Sequence, residues 1–252
     1  MGLLIACAGL LGAQDEPEAP QESEKVPKRS VRLLAVGNAP PFRQEIRDGI
    51  RYELPPPPGS LPPRKVMLVR GVEEDSEGAE EEPLELGELR LQLGRLSATL
   101  ELREGASQLE LRDDQGETWA KLNCPEKGDF LVLFWRDPEV GIWSRPRMKI
   151  VPDEKEPGKV RFLNVSRFPV AIVVGQEKVG LRPLQQWRTD LGAERPISFQ
   201  LGLAAKGGGL QRQFSLALEQ SDSESTLVVM SDTDAERARR PLKITRLRER
   251  VR

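Results

Sequence analysis

The sequence predicts an all-β protein built as two tandem, diverged copies of an immunoglobulin-like β-sandwich domain. Three observations carry that expectation. Apolar residues alternate with charged ones over short runs bounded by turn residues. No long helical pattern occurs. Three blocks of sequence recur in one order in the two halves of the chain.

The alternation is clearest in the first half. Leu89, Leu91 and Leu93 alternate with Arg90 and Gln92, while Leu100 and Leu102 flank Glu101, and Leu109 and Leu111 flank Glu110. A period of two puts the leucines on one face of a strand and the charges on the other. Residues 104–107 and 113–116 read as the hairpin turns that follow two of these runs. Residues 130–135, Phe-Leu-Val-Leu-Phe-Trp, form an unbroken apolar run suited to a central strand covered on both faces. The best helix candidate, residues 234–240, is stopped by Pro241 within two turns. Residues 84–96 are leucine-rich and have helical propensity, but their strict alternation favours strand.

The repeat fixes the domain organisation. Val31-Arg32-Leu33-Leu34-Ala35-Val36 recurs as Val160-Arg161-Phe162-Leu163-Asn164-Val165. Leu131-Val132-Leu133-Phe134 recurs as Leu227-Val228-Val229-Met230. Arg145-Pro146-Arg147-Met148-Lys149-Ile150 recurs as Arg240-Pro241-Leu242-Lys243-Ile244. The first copy is longer, and its surplus has loop composition: prolines at 55–58 and 62–63, and the acidic stretch 73–82. Insertions into surface loops cost little stability. The expected organisation is a leader at 1–13, a disordered linker at 14–29, a first sandwich at 30–151, a linker at 152–158 and a second sandwich at 159–252. Each copy has the size of an immunoglobulin-like sandwich, about 100 residues.

The apolar residues 2–13, followed by Gln-Asp-Glu-Pro-Glu, resemble the hydrophobic part of a secretory signal peptide. They are too few to span a bilayer, which takes about 20 apolar residues. Leu4-Ile5-Ala6-Cys7 also has the form of a lipoprotein box, which makes Cys7 a candidate lipid anchor. The expected location is therefore extracytoplasmic, and no transmembrane segment is expected. Without the leader, Cys124 is the sole cysteine, so no disulfide framework is expected.

Composition narrows the chemistry. Histidine is absent and the formal net charge is -2. Triads and zinc sites that need an imidazole are excluded, and the near balance of charge implies no nucleic-acid partner. The acids at 113–114, and Asp137 with Glu139, remain candidates for a hydrolase that uses carboxylates alone. The oxygen-rich stretches 221–225 and 231–234 lack the spacing of a calcium loop and read as solvated turns. Lys206-Gly207-Gly208-Gly209 lacks phosphate-loop spacing and reads as a hairpin tip. No cofactor is expected.

Trp143 and Trp187 are the candidates for a sugar-stacking surface, with Trp135 assigned to the core. Arg246, Arg248 and Arg250 share one parity near the end of the chain. They predict a cationic strand face, suited either to an acidic partner or to keeping an edge strand soluble.

Val160-Arg161, Asn164 and Ser166, followed by Pro169 and a short strand ending at Gly175, resemble the opening of β-sandwich domains of unknown function in exported bacterial proteins. The pattern is V-R-x-x-N-x-S. The first copy departs from it at Ala35 and Gly37. The resemblance implies an extracytoplasmic sandwich and supplies no active site. The expected function is a non-catalytic structural or interaction module of the cell envelope, with an envelope protein or polysaccharide as partner. A carbohydrate-binding module and a carboxylate-only hydrolase are the alternatives.

Overall fold

The computed structural model describes residues 29–70, 84–102, 107–191, 196–204, 209–235 and 238–251. The leader with Cys7, nearly all of the following linker, the acidic stretch 73–82, and residues 104–106 and 206–208 lie outside the described residues. The helix candidate at 234–240 includes residues 236–237, which lie outside them too, and the described residues on either side form no helix. The regular structure is all β. No helix among the described residues is long and apolar enough to cross a membrane.

The first half carries β1 (Arg29–Val36), β2 (Arg43–Arg47), β3 (Ile50–Leu54), β4 (Lys65–Arg70), β5 (Glu85–Arg90), β6 (Leu100–Leu102), β7 (Gln108–Arg112), β8 (Thr118–Asn123), β9 (Phe130–Trp135) and β10 (Arg147–Pro152). The second carries β11 (Lys159–Asn164), β12 (Val170–Val174), β13 (Glu177–Leu181), β14 (Gln186–Asp190), β15 (Ile197–Ala204), β16 (Leu210–Leu218), β17 (Glu224–Asp232) and β18 (Leu242–Arg250).

These strands form four four-stranded sheets and one two-stranded ribbon. In the first half an outer sheet, β5-β4-β7-β8, faces an inner sheet, β10-β9-β1-β6. Val31, Leu33, Phe130, Val132 and Phe134 from the inner sheet meet Val66, Leu68, Leu109 and Leu111 from the outer one. In the second half the inner sheet is β14-β11-β17-β18 and the outer is β13-β12-β15-β16. Here Phe162, Val228 and Met230 meet Ile172, Phe199 and Leu201.

The alternate residues of the inner strands do not face water. Leu34, Val36, Leu131, Leu133 and Trp135 pack against Leu163, Val165, Leu227 and Val229 in a third core. The two inner sheets are thus covered on both faces, and the molecule is a stack of four sheets. This is why every side chain of β9 is buried and why the run 130–135 shows no alternation. Residues 152–158 are tied into this seam. Pro152 ends β10, its carbonyl accepts from Arg161 Nη1 at 2.6 Å, and Asp153 is bound by Arg32.

Among the described connections, the two halves differ most between the first and second sandwich strands. Residues 37–64 link β1 to β4 and include the β2–β3 ribbon, whereas residues 165–169 suffice to link β11 to β12. Asn164 makes the short link possible. It is fully buried; its Nδ2 donates to the carbonyls of Phe168 and Leu181 at 2.8 and 3.1 Å, and its Oδ1 accepts from Ser166 N and Oγ at 3.0 and 2.7 Å. The first half has Ala35 and Gly37 at the matching positions, has no such clamp there, and runs instead into the long insertion.

Candidate interaction site

The insertion 37–64 leaves the inner sheet at Gly37, at the end of the stack where the second half contributes its β17–β18 connection. Gly37 is required there by close approach. A Cβ at this position would lie 3.0 Å from Asp234 Oδ2 and 3.3 Å from the Trp143 ring, at a φ of 157°. The chain then binds across the seam. Asn38 N donates to Asp234 Oδ1 at 2.6 Å and Asn38 Nδ2 to Thr233 Oγ1 at 3.0 Å. Arg136 Nε donates to Asp234 Oδ2 at 2.6 Å, and Lys243 Nζ donates to the Gly37 carbonyl. Burial holds the Lys243 ammonium below its ordinary pKa, with Asp234 acting against that shift.

Around this clasp the insertion builds two adjoining clefts that share Ala39. One, of about 690 Å³, is walled by Pro40, Pro41, Pro57, Pro58 and Ile142 and floored by Arg136 and Asp234. The other, of about 530 Å³, has Leu61, Pro62, Leu91 and Leu93 as its apolar surface, with Arg64 and Arg90 at its edge. Both fall in the size range of ligand pockets. The walls are rigid because proline fixes φ and side-chain freedom is small. Ile142 in the first cleft is exposed, as are Val140 and Phe42, which neighbour lining residues in sequence.

The β9–β10 connection supports the cleft from below. Asp137 Oδ1 accepts from Glu139 N at 3.0 Å and Oδ2 from Arg147 Nε at 2.8 Å; these bonds hold the Asp137 carboxyl below its ordinary pKa. Trp143 N donates to the Gly59 carbonyl at 2.8 Å, and Trp119 Nε1 donates to the Trp143 carbonyl at 2.6 Å. Trp143 is thereby driven into the first core at 1% exposure.

That burial removes Trp143 from the surface where the sequence places it. Trp187 is half-buried and stacks on Phe162 with centroids 5.3 Å apart, so one ring face is already covered. Trp135 lies in the seam and Trp143 in the first core, on opposite faces of the inner sheet. The four tryptophans form no common platform. Of the candidate acids, Asp113 and Asp137 serve turns: Asp113 Oδ1 accepts from Gln115 N and Glu117 N, as Asp137 Oδ1 does from Glu139 N, while Asp114 and Glu139 are exposed.

Arg246, Arg248 and Arg250 are exposed on β18, an edge strand. They have the same parity as Leu242 and Ile244, which pack into the second core. The strand therefore runs out from under the outer sheet, and its inward positions become arginine where cover ends. Arg248 is paired with Glu224. Charged inward residues on an edge strand discourage edge-to-edge association. Cys124 is half-buried, and desolvation pushes its thiol up to about 11 despite Arg29 nearby.

Two features of this site escape the sequence reading. The β2–β3 ribbon is signalled by Asp48-Gly49 between short strand-like runs, which is a strong hairpin signal. The Arg136–Asp234 clasp joins residues from the two halves and has no local signature. Among the described residues no cluster of three or more acids and cysteines forms a metal-binding group. No protein-family model matches the chain, and no curated protein matches it in sequence.

Proposed function

We propose that this chain is a non-catalytic, extracytoplasmic interaction module. In this reading it consists of two diverged copies of one eight-stranded sandwich, and the insertion of the first copy is the binding element. The observation that carries the reading is a difference between two otherwise equivalent topologies. Setting the ribbon aside, strands β1, β4, β5, β6, β7, β8, β9 and β10 have the same neighbours as β11, β12, β13, β14, β15, β16, β17 and β18. Both halves also use a parallel pair at the same register, with Arg32 opposite Leu131 and Arg161 opposite Leu227. Among the described connections, the insertion at 37–64 is the largest difference between the halves, and it supplies prolines and exposed apolar groups in place of core.

The resemblance to immunoglobulin domains is one of architecture. An antibody sheet places its third strand in the sheet opposite its second, whereas here β5 pairs with β4, and β13 with β12. The third block of the repeat is also shifted by the ladders. Met148 lies opposite Phe134 as Ile244 lies opposite Met230, so Met148, not Ile150, is the counterpart of Ile244.

The proline-walled cleft suits an extended segment of a partner protein, with apolar side chains against Pro57, Pro58 and Ile142. Envelope location rests on the leader-like N-terminus and on the resemblance of residues 160–175 to exported sandwich domains. The test is capture from a native envelope fraction with the intact chain and with Ile142→Asp. The expected result is a protein partner retained by the first and lost by the second. Equal recovery by both, or recovery of nothing by either, overturns the reading.

A further inference from the structure

We infer that the free edge of β3 is a self-complementary interface, which pairs the chain with a second copy of itself. The inference concerns the ribbon edge and does not depend on the cleft.

The β2–β3 ribbon joins no other strand, and every residue of β2 and all but the last of β3 are exposed. A lone two-stranded hairpin is marginally stable in water, and this one displays Ile46, Ile50 and Tyr52 at 62%, 57% and 46% exposure. Its geometry fixes which backbone groups are free. Asp48 and Gly49 have φ of 51° and 79°, a type I′ turn, and Arg47 faces Ile50 across it. In such a turn the flanking pair is hydrogen-bonded, and hydrogen-bonded pairs then alternate along the ladder. Ile50, Tyr52 and Leu54 therefore point their N–H and C=O groups toward β2, and Arg51 and Glu53 point theirs outward.

Two copies of β3 related by a two-fold axis at Tyr52 satisfy all of these groups. Arg51 and Glu53 of one chain exchange backbone hydrogen bonds with Glu53 and Arg51 of the other. On the same residues the side chains pair guanidinium with carboxylate, twice. On the opposite face Ile50 lies across from Leu54, again twice, and the two Tyr52 rings meet on the axis. Cross-strand apolar, aromatic and opposite-charge pairs are the contacts that stabilise a sheet. Moving the axis to Arg51 or Glu53 sets like charges against each other. Pro55, which lacks an N–H, ends the ladder beyond Leu54.

The charges needed are available. Among the described residues Arg51 and Glu53 have no ion-pair partner in their own chain, so both are free to meet a second copy. On the other edge, a two-fold axis at Gln44 sets Arg43 against Glu45, but Glu45 is already held by Arg47 at 2.7 Å. The β3 edge is therefore the one assigned. The contact is isologous and closes at two chains.

Sedimentation velocity of the purified chain tests this, at concentrations up to about 100 μM. The wild type is expected to form a reversible dimer. Arg51→Glu alone and Glu53→Arg alone each oppose like charges and should weaken it at least about tenfold. Mixing those two variants should restore a dimer containing one chain of each, and the double variant R51E/E53R should dimerise as the wild type does. Circular dichroism identical to wild type shows that each variant is folded. A wild type that remains monomeric throughout, or a single reversal that dimerises undiminished, overturns the inference. Loss of envelope capture in Ile142→Asp with dimerisation unchanged separates the two sites.

Discussion

Arg32 and Asp153 form a two-point ion pair at the seam between the two halves, with Nε to Oδ2 and Nη2 to Oδ1 both at 2.6 Å and both side chains about nine-tenths buried or more. Glu249, from the last strand, adds a second acceptor for Nη2 at 2.9 Å. The guanidinium pKa lies above its ordinary value: burial opposes that shift, and the hydrogen bonds it donates to Asp153 and Glu249 outweigh it. Arg161, at the same register position in the second half, donates to the Pro152 carbonyl and has no ion pair among the described residues, and burial holds its pKa below the ordinary value.

Removing Arg32 leaves the buried Asp153 carboxylate without its hydrogen-bonded cation. Arg32→Met is expected to cost about 3–5 kcal/mol, read from urea unfolding. The double variant R32M/D153L should recover most of that loss, because an apolar pair of similar volume is tolerated where a lone charge is not.

Trp143→Ala removes a ring that fills the first core. The expected loss is about 3–5 kcal/mol, measured by denaturant unfolding. A carbohydrate-binding role for the exposed ring would instead leave stability within about 0.5 kcal/mol, as surface substitutions do.

Asp232 gives a dependence on pH. Its carboxyl is raised above the ordinary range, first by desolvation, against which Arg167 N and the Arg167 charge act. Its Oδ1 has no hydrogen-bond partner among the described residues. A carboxyl whose folded pKa is raised favours folding when protonated, and that contribution is lost as pH rises from the unfolded value through the folded one. Asp232→Asn should therefore raise the melting temperature at pH 7. The gain should shrink as pH falls toward the ordinary Asp value, about 3.9.

Asn164→Ala breaks all four side-chain bonds that close the β11–β12 link. Two buried carbonyls and Ser166 lose partners, at about 1–3 kcal/mol for each group left unsatisfied. Urea unfolding should show a loss of at least about 2 kcal/mol, with the far-ultraviolet spectrum of the folded state unchanged.

The β class was legible because Leu89, Leu102, Leu109 and Leu111 are buried while their neighbours carry charge, and a half-buried strand records its environment in that period. The fully covered strand at 130–135 was legible for the complementary reason. What covers it was not. The apolar runs at 33–36 and 227–230 are also too continuous for a sandwich standing alone, but a sequence does not say which distant run lies opposite which. The burial of Trp143 is not legible in sequence because a tryptophan in a turn-like stretch looks exposed, and that burial depends on Gly59 and Trp119, neither of them a sequence neighbour. The clasp on Asp234 has the same character: each partner is an ordinary loop residue until the halves meet.

The four-sheet stack also bears on how the chain comes into being. A ribosome that has released residues only as far as Asp153 has made both four-stranded sheets of the first half. One of them still presents Leu34, Val36, Leu131, Leu133 and Trp135 to solvent. The nascent molecule carries a broad greasy face until β11 and β17 arrive to cap it, and such surfaces invite association with other unfinished chains. Completion of the second half is thus a solubility step for the first, and truncation near residue 153 should yield aggregate where the whole chain stays in solution.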